Sequence, residues 1–164
     1  MYTGFTSAQA KLIVPQLQDL WFRRQLLADP DTMSYNRVCG GTIDFPEEKW
    51  ADWYARWVLD TEGKHFYSYV VNQAGAFVGE AAYHWDASRC ICCADVIVAA
   101  QYRRRGYGRA ALIMLCGAAK QNGISVLHDD IAVGNPAVKL FLALGFLEEY
   151  RTDEYIMLKK KLRD

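Results

Sequence analysis

The sequence predicts an α/β (α+β) layer fold, a central mixed and mostly antiparallel sheet flanked by helices. Three observations carry that prediction. Two stretches with helical spacing of apolar residues precede three consecutive β-branched, aromatic-rich runs, HFYSYVVN, AFVGEAAYHW and CICCADVIVA. An apolar helix from about Tyr107 to Gln121 follows them directly. Strand and helix signals then alternate towards the end of the chain, which fits a layered arrangement around one sheet.

Each element has a local reason. A short strand candidate lies around residues 11–14, and Pro15 suits the opening turn of a helix with Leu17, Leu20 and Trp21 on one face. The polar, glycine-containing stretch DPDTMSYNRVCGGTIDF reads as loop. Pro46, Glu47 and Glu48 mark a second helix start, because acidic residues favour a first turn. Trp50, Trp53, Tyr54 and Trp57 follow at helical spacing, a stripe read as core packing rather than a ligand cage. Turns at N-Q-A-G and D-A-S-R make the three middle runs an antiparallel meander. Gly123 stops the apolar helix, and VLHDDIAV is the next strand. After Gly134 and Asn135, Pro136 starts a helix containing Val138, Leu140, Phe141 and Leu144. FLEEY and EYIMLKKKL close the chain as a hairpin-like pair, giving the order β-α-α-β-β-β-α-β-α-β-β.

Composition narrows the function. The 164 residues fit one domain, 1–164, with 52% hydrophobic and 23% charged residues, as in ordinary soluble proteins. Lys plus Arg and Asp plus Glu both number 19, so no global field recruits nucleic acid or a membrane. The start MYTGFTSAQAKLIV lacks a signal-peptide pattern, and a cytoplasmic location is expected. The five cysteines are expected to be reduced: the count is odd, no secretory signal precedes them, and Cys116 sits inside the apolar helix. No metal is expected, since C-I-C-C at 90–93 lacks zinc-pair spacing and no histidine pair completes it.

One stretch asks for a ligand. Arg103, Arg104 and Arg105 stand immediately before Gly106, Gly108 and the apolar helix, at the positive end of its macrodipole, where cations are disfavoured. Backbone N–H groups of a glycine-rich turn into a helix form an anion site, and arginines add charge-assisted hydrogen bonds. No Gly-Lys-Ser/Thr follows, so this is not a Walker A loop. The dinucleotide fingerprint fails as well, lacking its third glycine and a parallel strand before it.

The pattern Arg103-x-x-Gly106-x-Gly108, after a strand at 95–98 and before an apolar helix, resembles the acyl-CoA pyrophosphate loop of the GNAT N-acetyltransferase superfamily. NPAVKLFLALGF, from Asn135 to Gly145-Phe146, is similar to that superfamily's second signature, and EYIMLKKKL to its last strand. The resemblance covers most of residues 65–161; the first 64 residues share only two helices after a strand. It implies a three-layer fold with acetyl-CoA as acyl donor and a primary amine of a small molecule or peptide as acceptor. No nucleic acid or membrane partner is implied, and a homodimer is expected because such domains often dimerise.

Carried over by position, the resemblance implies that main-chain amides from Arg103 through Arg104, Arg105, Gly106, Tyr107 and Gly108 to Arg109 cradle the pyrophosphate. Arg104 stands where the family often has glycine and is expected to point to solvent. Val96 and Val98 become cofactor walls, and an N–H near Ile97 or Val98 polarises the thioester carbonyl. Asn135 and Phe141 belong to the cofactor side, and the loop 33–45 with the aromatic helix after it forms the acceptor pocket. Asp95 is placed where the family often carries an acidic residue, with His84 a second candidate base. Asp129 and Asp130 project to opposite faces of their strand, and Asp130 is expected to anchor a cationic acceptor. His65 and His128 read as structural.

One departure matters. Many members place a tyrosine on the helix after strand five; here counting back from Gly145-Phe146 gives Phe141, and counting forward from Asn135 gives Leu142. Neither has a hydroxyl, which leaves water, Tyr102 or Tyr155 as proton donors. The loss raises an alternative, a catalytically degenerate CoA-binding regulatory module.

Overall fold

The computed structural model describes residues 9–36, 40–59, 62–63 and 65–163. Its strands are β1 (Ala10–Ile13), β2 (His65–Asn72), β3 (Phe77–Asp86), β4 (Ile91–Val98), β5 (Val126–Ala132), β6 (Leu147–Arg151) and β7 (Tyr155–Lys161). They form a seven-stranded sheet in the order β1-β2-β3-β4-β5-β7-β6. The helices are α1 (Leu20–Ala28), α2 (Trp50–Tyr54), α3 (Tyr107–Gln121) and α4 (Ala137–Ala143). The meander β2-β3-β4 is antiparallel throughout, as the alternating runs and their turns require.

Alternation along the strands builds three layers. Phe66, Val70, Ala81, Tyr83, Cys92 and Ala94 face α3, whose Ala111, Leu112, Leu115 and Ala118 are fully buried against them. Alanines at the contact let the helix lie close to the sheet. Leu112, Leu115, Leu127 and Leu158, each at 0% exposure, contribute about 1.5–3 kcal/mol apiece to this core. Tyr67, Tyr69 and Val71 face the other way, towards Phe22 and Leu26 of α1 and Val58 after α2.

The first half differs from the sequence expectation in register rather than in order. Leu17–Asp19 forms a 3-10 turn before α1, and its tighter winding rotates the helix face. Leu20 is buried as expected, but Leu17 and Trp21 are exposed, and Phe22, Leu26 and Leu27 complete the inner face instead. The second helix likewise begins as a 3-10 turn, Glu47–Lys49, and ends in a π-helical turn, Ala55–Leu59. The expected loop is partly core, since Met33 and Phe45 are buried with Leu20 and Leu27. Of the cysteines, Cys92, Cys93 and Cys116 are buried and free, Cys90 is an exposed turn residue, and Cys39 lies outside the described residues. So do residues 1–8, which hold most of the stretch read for a signal.

The decisive irregularity is between β4 and β5. They are parallel and share one registered pair, Cys93 with His128. Beyond that pair the two strands separate, which opens the sheet at its centre. On the other edge of β4, Gly79 lies opposite Val98, and an added Cβ there would fall well inside contact distance of the Ile97 carbonyl oxygen. Only glycine allows β3 to approach β4 at that point. Gly79→Ala is therefore expected to lower stability by about 1–3 kcal/mol, as overpacking does, in urea unfolding of the purified protein.

Candidate active site

The loop between β4 and α3 is wound for an anion. Arg104 takes a positive φ of 61° and Gly106 one of 87°, so two left-handed residues bracket Arg105. Arg104 thus takes a conformation that glycine adopts without steric cost. The first bond of the α3 ladder runs from the Ala110 N–H to the Gly106 carbonyl, 3.1 Å. The amides of Tyr107, Gly108 and Arg109 thus precede the ladder and point out of the helix start. A Cβ on Gly108 would lie 3.5 Å from Leu140 and 3.7 Å from Val98, so this glycine sits where β4, α3 and α4 meet.

Arg103 departs from its expected role. Its N–H donates to the Ala100 carbonyl at 3.2 Å, so the cradle starts at Arg104. Its guanidinium reaches the Asp31 carbonyl at 3.1 Å and the Thr32 carbonyl at 2.5 Å, and lies 5.7 Å from the Tyr35 ring centroid. Thr32 in turn accepts the Ala100 N–H at 2.9 Å through its hydroxyl, which donates to Asp29. Arg103 is a clasp between the anion loop and the loop after α1. Arg104, Arg105 and Arg109 remain exposed.

Two other expected cofactor residues are committed to packing. The Asn135 side-chain oxygen accepts the Ala137 N–H at 3.0 Å, leaving only its amide nitrogen for a ligand. Phe141 is 3% exposed and stacks edge-on against Phe146 at 4.9 Å, facing the core rather than the cleft. Gly145, with φ 93°, ends α4 and turns Phe146 inward; the Phe146 N–H donates to the Phe141 carbonyl and the Gly145 N–H to that of Leu142. Leu142 points outward at 47% exposure.

The face of β4 turned towards α1 and α2 carries the titratable groups. Asp95 is exposed to water on this face, beside Ala82 of β3. Burial, reinforced by Glu80, pushes its carboxyl up to about 6, while Arg23 acts in the opposite sense. Asp129 is raised too, by burial and then by Asp95 and Asp130. His84, paired across the sheet with Cys93 and His65, is held below its ordinary value by burial and by His65. Asp130 does not stand free, as an acceptor anchor would: Arg89 holds it at 2.9 Å and Asp86 at 2.7 Å. His128, the registered partner of Cys93, lies 3.5 Å from Glu149, and the His65 ring meets Trp57 edge-on beside His84. Tyr102 stacks on Tyr107 at the anion loop, and Tyr155 lies opposite Ala132 on β7. Among the described residues no group of three His, Cys, Asp or Glu side chains is placed to hold a metal.

Behind Asp95 lies a network that the sequence reading missed. Glu80, 2% exposed, receives Arg23 Nη1 at 2.7 Å on both carboxylate oxygens and the Tyr67 hydroxyl on one. The Arg23 guanidinium carbon sits 4.5 Å from the Trp53 ring, 5.2 Å from Phe45 and 5.5 Å from Tyr67. Burial alone would depress the guanidinium, yet Glu80 and Tyr67 hold it above its usual value. The available signal was Glu80 itself, a lone carboxylate inside the apolar run AFVGEAAYHW.

The acetyltransferase (GNAT) family model matches residues 24–146, three quarters of the sequence and both halves of this cleft. The chain belongs to the GNAT family. Solved structures agree in fold. A spermidine N-acetyltransferase from Vibrio cholerae, in complex with CoA and spermine, superposes with TM-score 0.80 at 17% identity, over 95% of this chain and 97% of that one. An acetyltransferase of the GNAT family from Bacillus anthracis gives 0.75 at 14% identity, covering 98% and 99%. A GNAT phosphinothricin acetyltransferase from Sinorhizobium meliloti, in complex with acetyl-CoA, gives 0.74 at 18% identity, covering 93% and 88%. No curated protein matches the chain significantly. In this GNAT fold the Arg23–Glu80 pair ties α1 to the sheet, with Trp53 of α2 packed on the guanidinium. Arg23→Met is expected to cost about 3–5 kcal/mol by stranding Glu80, and the double variant Arg23→Met/Glu80→Met to recover much of it, as urea unfolding would register.

Proposed function

We propose that the chain is an N-acetyltransferase that moves the acetyl group of acetyl-CoA to a primary amine of a small molecule or peptide. The observation that carries this reading is the place of Asp95 on β4, beyond the one registered pair with β5 and three residues before the end of the strand, which leads to the Arg104–Arg109 loop. Its carboxyl is pushed up to about 6. A cationic amine must lose a proton before it can attack, and a base titrating near neutrality suits that task. Acetyl-CoA supplies the thioester carbonyl; nitrogen forms the new C–N bond there and the C–S bond breaks with its electron pair on sulfur. The amides of Arg104 to Arg109 hold the pyrophosphate, with Arg105 adding charge. Of the backbone N–H groups at Ile97 and Val98, that of Ile97 is on the β3 side, as is the Ala99 N–H bonded to Val78, so the Val98 N–H on the open edge of β4 polarises the carbonyl. Asp95 takes the proton through water, His84 is the second candidate, and Asp130 sets the charge beside Asp95 through its pair with Arg89.

A single domain acting in the cytoplasm, without nucleic acid or membrane partners, fits this activity. Among the described residues no helix is long and apolar enough to cross a membrane. A homodimer through exposed aromatics such as Trp21 remains part of the proposal. The degenerate-module alternative is favoured only by the absent tyrosine, and an amine panel with acceptor-dependent release of CoA thiol decides between the two.

Two predictions follow from the site. Gly108→Val should push a branched side chain between Val98 and Leu140 and raise the CoA dissociation constant about tenfold or more, a loss of about 1.4 kcal/mol, by calorimetric titration. Arg105→Ala should cost less, because the amides remain. Asp95→Asn should lower kcat and remove the acid limb near pH 6, with CoA affinity nearly unchanged. The same variant should be more stable at pH 7.5. A carboxyl raised above its unfolded pKa binds more protons when folded, so stability falls as pH rises between about 4 and 6. Asparagine removes that loss, so the gain in Tm should vanish towards pH 4. Full turnover in Asp95→Asn with loss in His84→Ala would give the proton to the histidine instead.

A further inference from the structure

The acceptor-side wall of the sheet is a grid of cross-strand rows. Strand register places His65, His84 and Cys93 in one row, Tyr67, Ala82 and Asp95 in the next, and Tyr69, Glu80 and Ile97 in the third. Ala82 has the smallest side chain in this grid, and all its neighbours are larger. It keeps solvent exposure although β3 is an interior strand, so the wall is recessed at Ala82, directly beside Asp95. Trp57 borders the recess, its ring 5.5 Å from His84 and 4.7 Å from His65, and it stacks on Trp53 at 6.4 Å. Trp53 meets Tyr67 at 4.8 Å and is occupied by Arg23, whereas Trp57 retains open surface.

Charge pairing restricts what the recess takes. Glu80 is bound by Arg23 and Tyr67, and Asp86 and Asp130 share Arg89. Asp95 is the one carboxylate of this wall with no hydrogen bond or ion pair to the described residues. We propose that the acceptor is a primary monoamine with an aromatic or other apolar body, its nitrogen at Asp95 and its body in the recess over Ala82 against Trp57. This inference rests on the amine-acetyltransferase reading above. A polyamine needs a second free carboxylate for its second ammonium. Here Glu80, Asp86 and Asp130 are each already engaged by an arginine, so a second ammonium would have to compete with Arg23 or Arg89 for its carboxylate. An apolar body gains instead from burial and from the face of Trp57.

The test is steady-state kinetics of the full chain with acetyl-CoA and three amine classes: phenethylamine and tryptamine, ethylamine, and spermidine with putrescine. The expected result is a kcat/KM for the aromatic amines at least tenfold above that for either polyamine. Ala82→Leu, which fills the recess, should reduce the ratio of phenethylamine to ethylamine kcat/KM at least tenfold. Its folding is checked by the rise in Tm with CoA. Should that variant not fold, Trp57→Ala is expected to reduce the same ratio. A polyamine preferred over the aromatic amines, or an unchanged ratio in a folded variant, overturns the inference and leaves the acetyltransferase reading in place. CoA binding without turnover of any amine overturns both.

Discussion

The structure depends on one buried ion pair. Arg23 and Glu80 could not be buried singly, since an unpaired charge in a protein interior costs several kcal/mol. Together, with the Tyr67 hydroxyl and the rings of Phe45 and Trp53, they form a charge-paired group drawn from five parts of the chain: α1, the following loop, α2, β2 and β3. The short, irregular α2 needs such an anchor, because a five-residue helix has little stability of its own. The same group sets the field at Asp95, Glu80 raising its pKa and Arg23 lowering it. Anchoring of α1 and α2 and the basicity of Asp95 therefore share one interaction, and a change to either partner alters both.

A second constraint couples the two halves of the site. The anion loop and the loop after α1 are far apart in sequence but joined by Thr32 and Arg103, with Asp29 closing the turn beneath Thr32. The Ala100 N–H that Thr32 receives would otherwise be an orphan at the start of a 3-10 turn. The loop after α1 also carries Met33 and Phe45, which pack with Leu20 and Leu27, and the Phe45 ring lies against Arg23 of the buried ion pair.

The second half of the chain was legible because its signals are local. Gly106 and Gly123 bound α3 at the positions read from sequence, each in the left-handed conformation that glycine adopts without steric cost. The three alternating runs of the meander became β2, β3 and β4 within one residue of their expected ends. The first half resisted because its geometry is set by tertiary contacts. A 3-10 turn before α1 moved Trp21 from core to surface, and nothing in the local pattern distinguishes it from a full helical turn. Within the site, the anion loop was recognisable from Gly106 and Gly108. The partners of Arg103, Asp130 and Asn135 were not, since each is satisfied by a group that residue type alone cannot identify.

The absent tyrosine has a structural reason. Gly145 stops α4 so that Phe146 turns into the core, and Phe141, one helical turn earlier, must pack against it. A hydroxyl at position 141 would be buried among apolar side chains, with the desolvation cost of an unsatisfied polar group. Position 142 faces outward, and no residue between Ala137 and Ala143 carries a hydroxyl. The chemistry tolerates this. A thiol titrates near about 8.5, so its thiolate is a stable leaving group in water at neutral pH. Deprotonating an ammonium is the harder proton transfer, because an alkylamine titrates near about 10. On the proposed reading the perturbed carboxylate, Asp95, serves the nitrogen end of the reaction, while α4 is committed to packing.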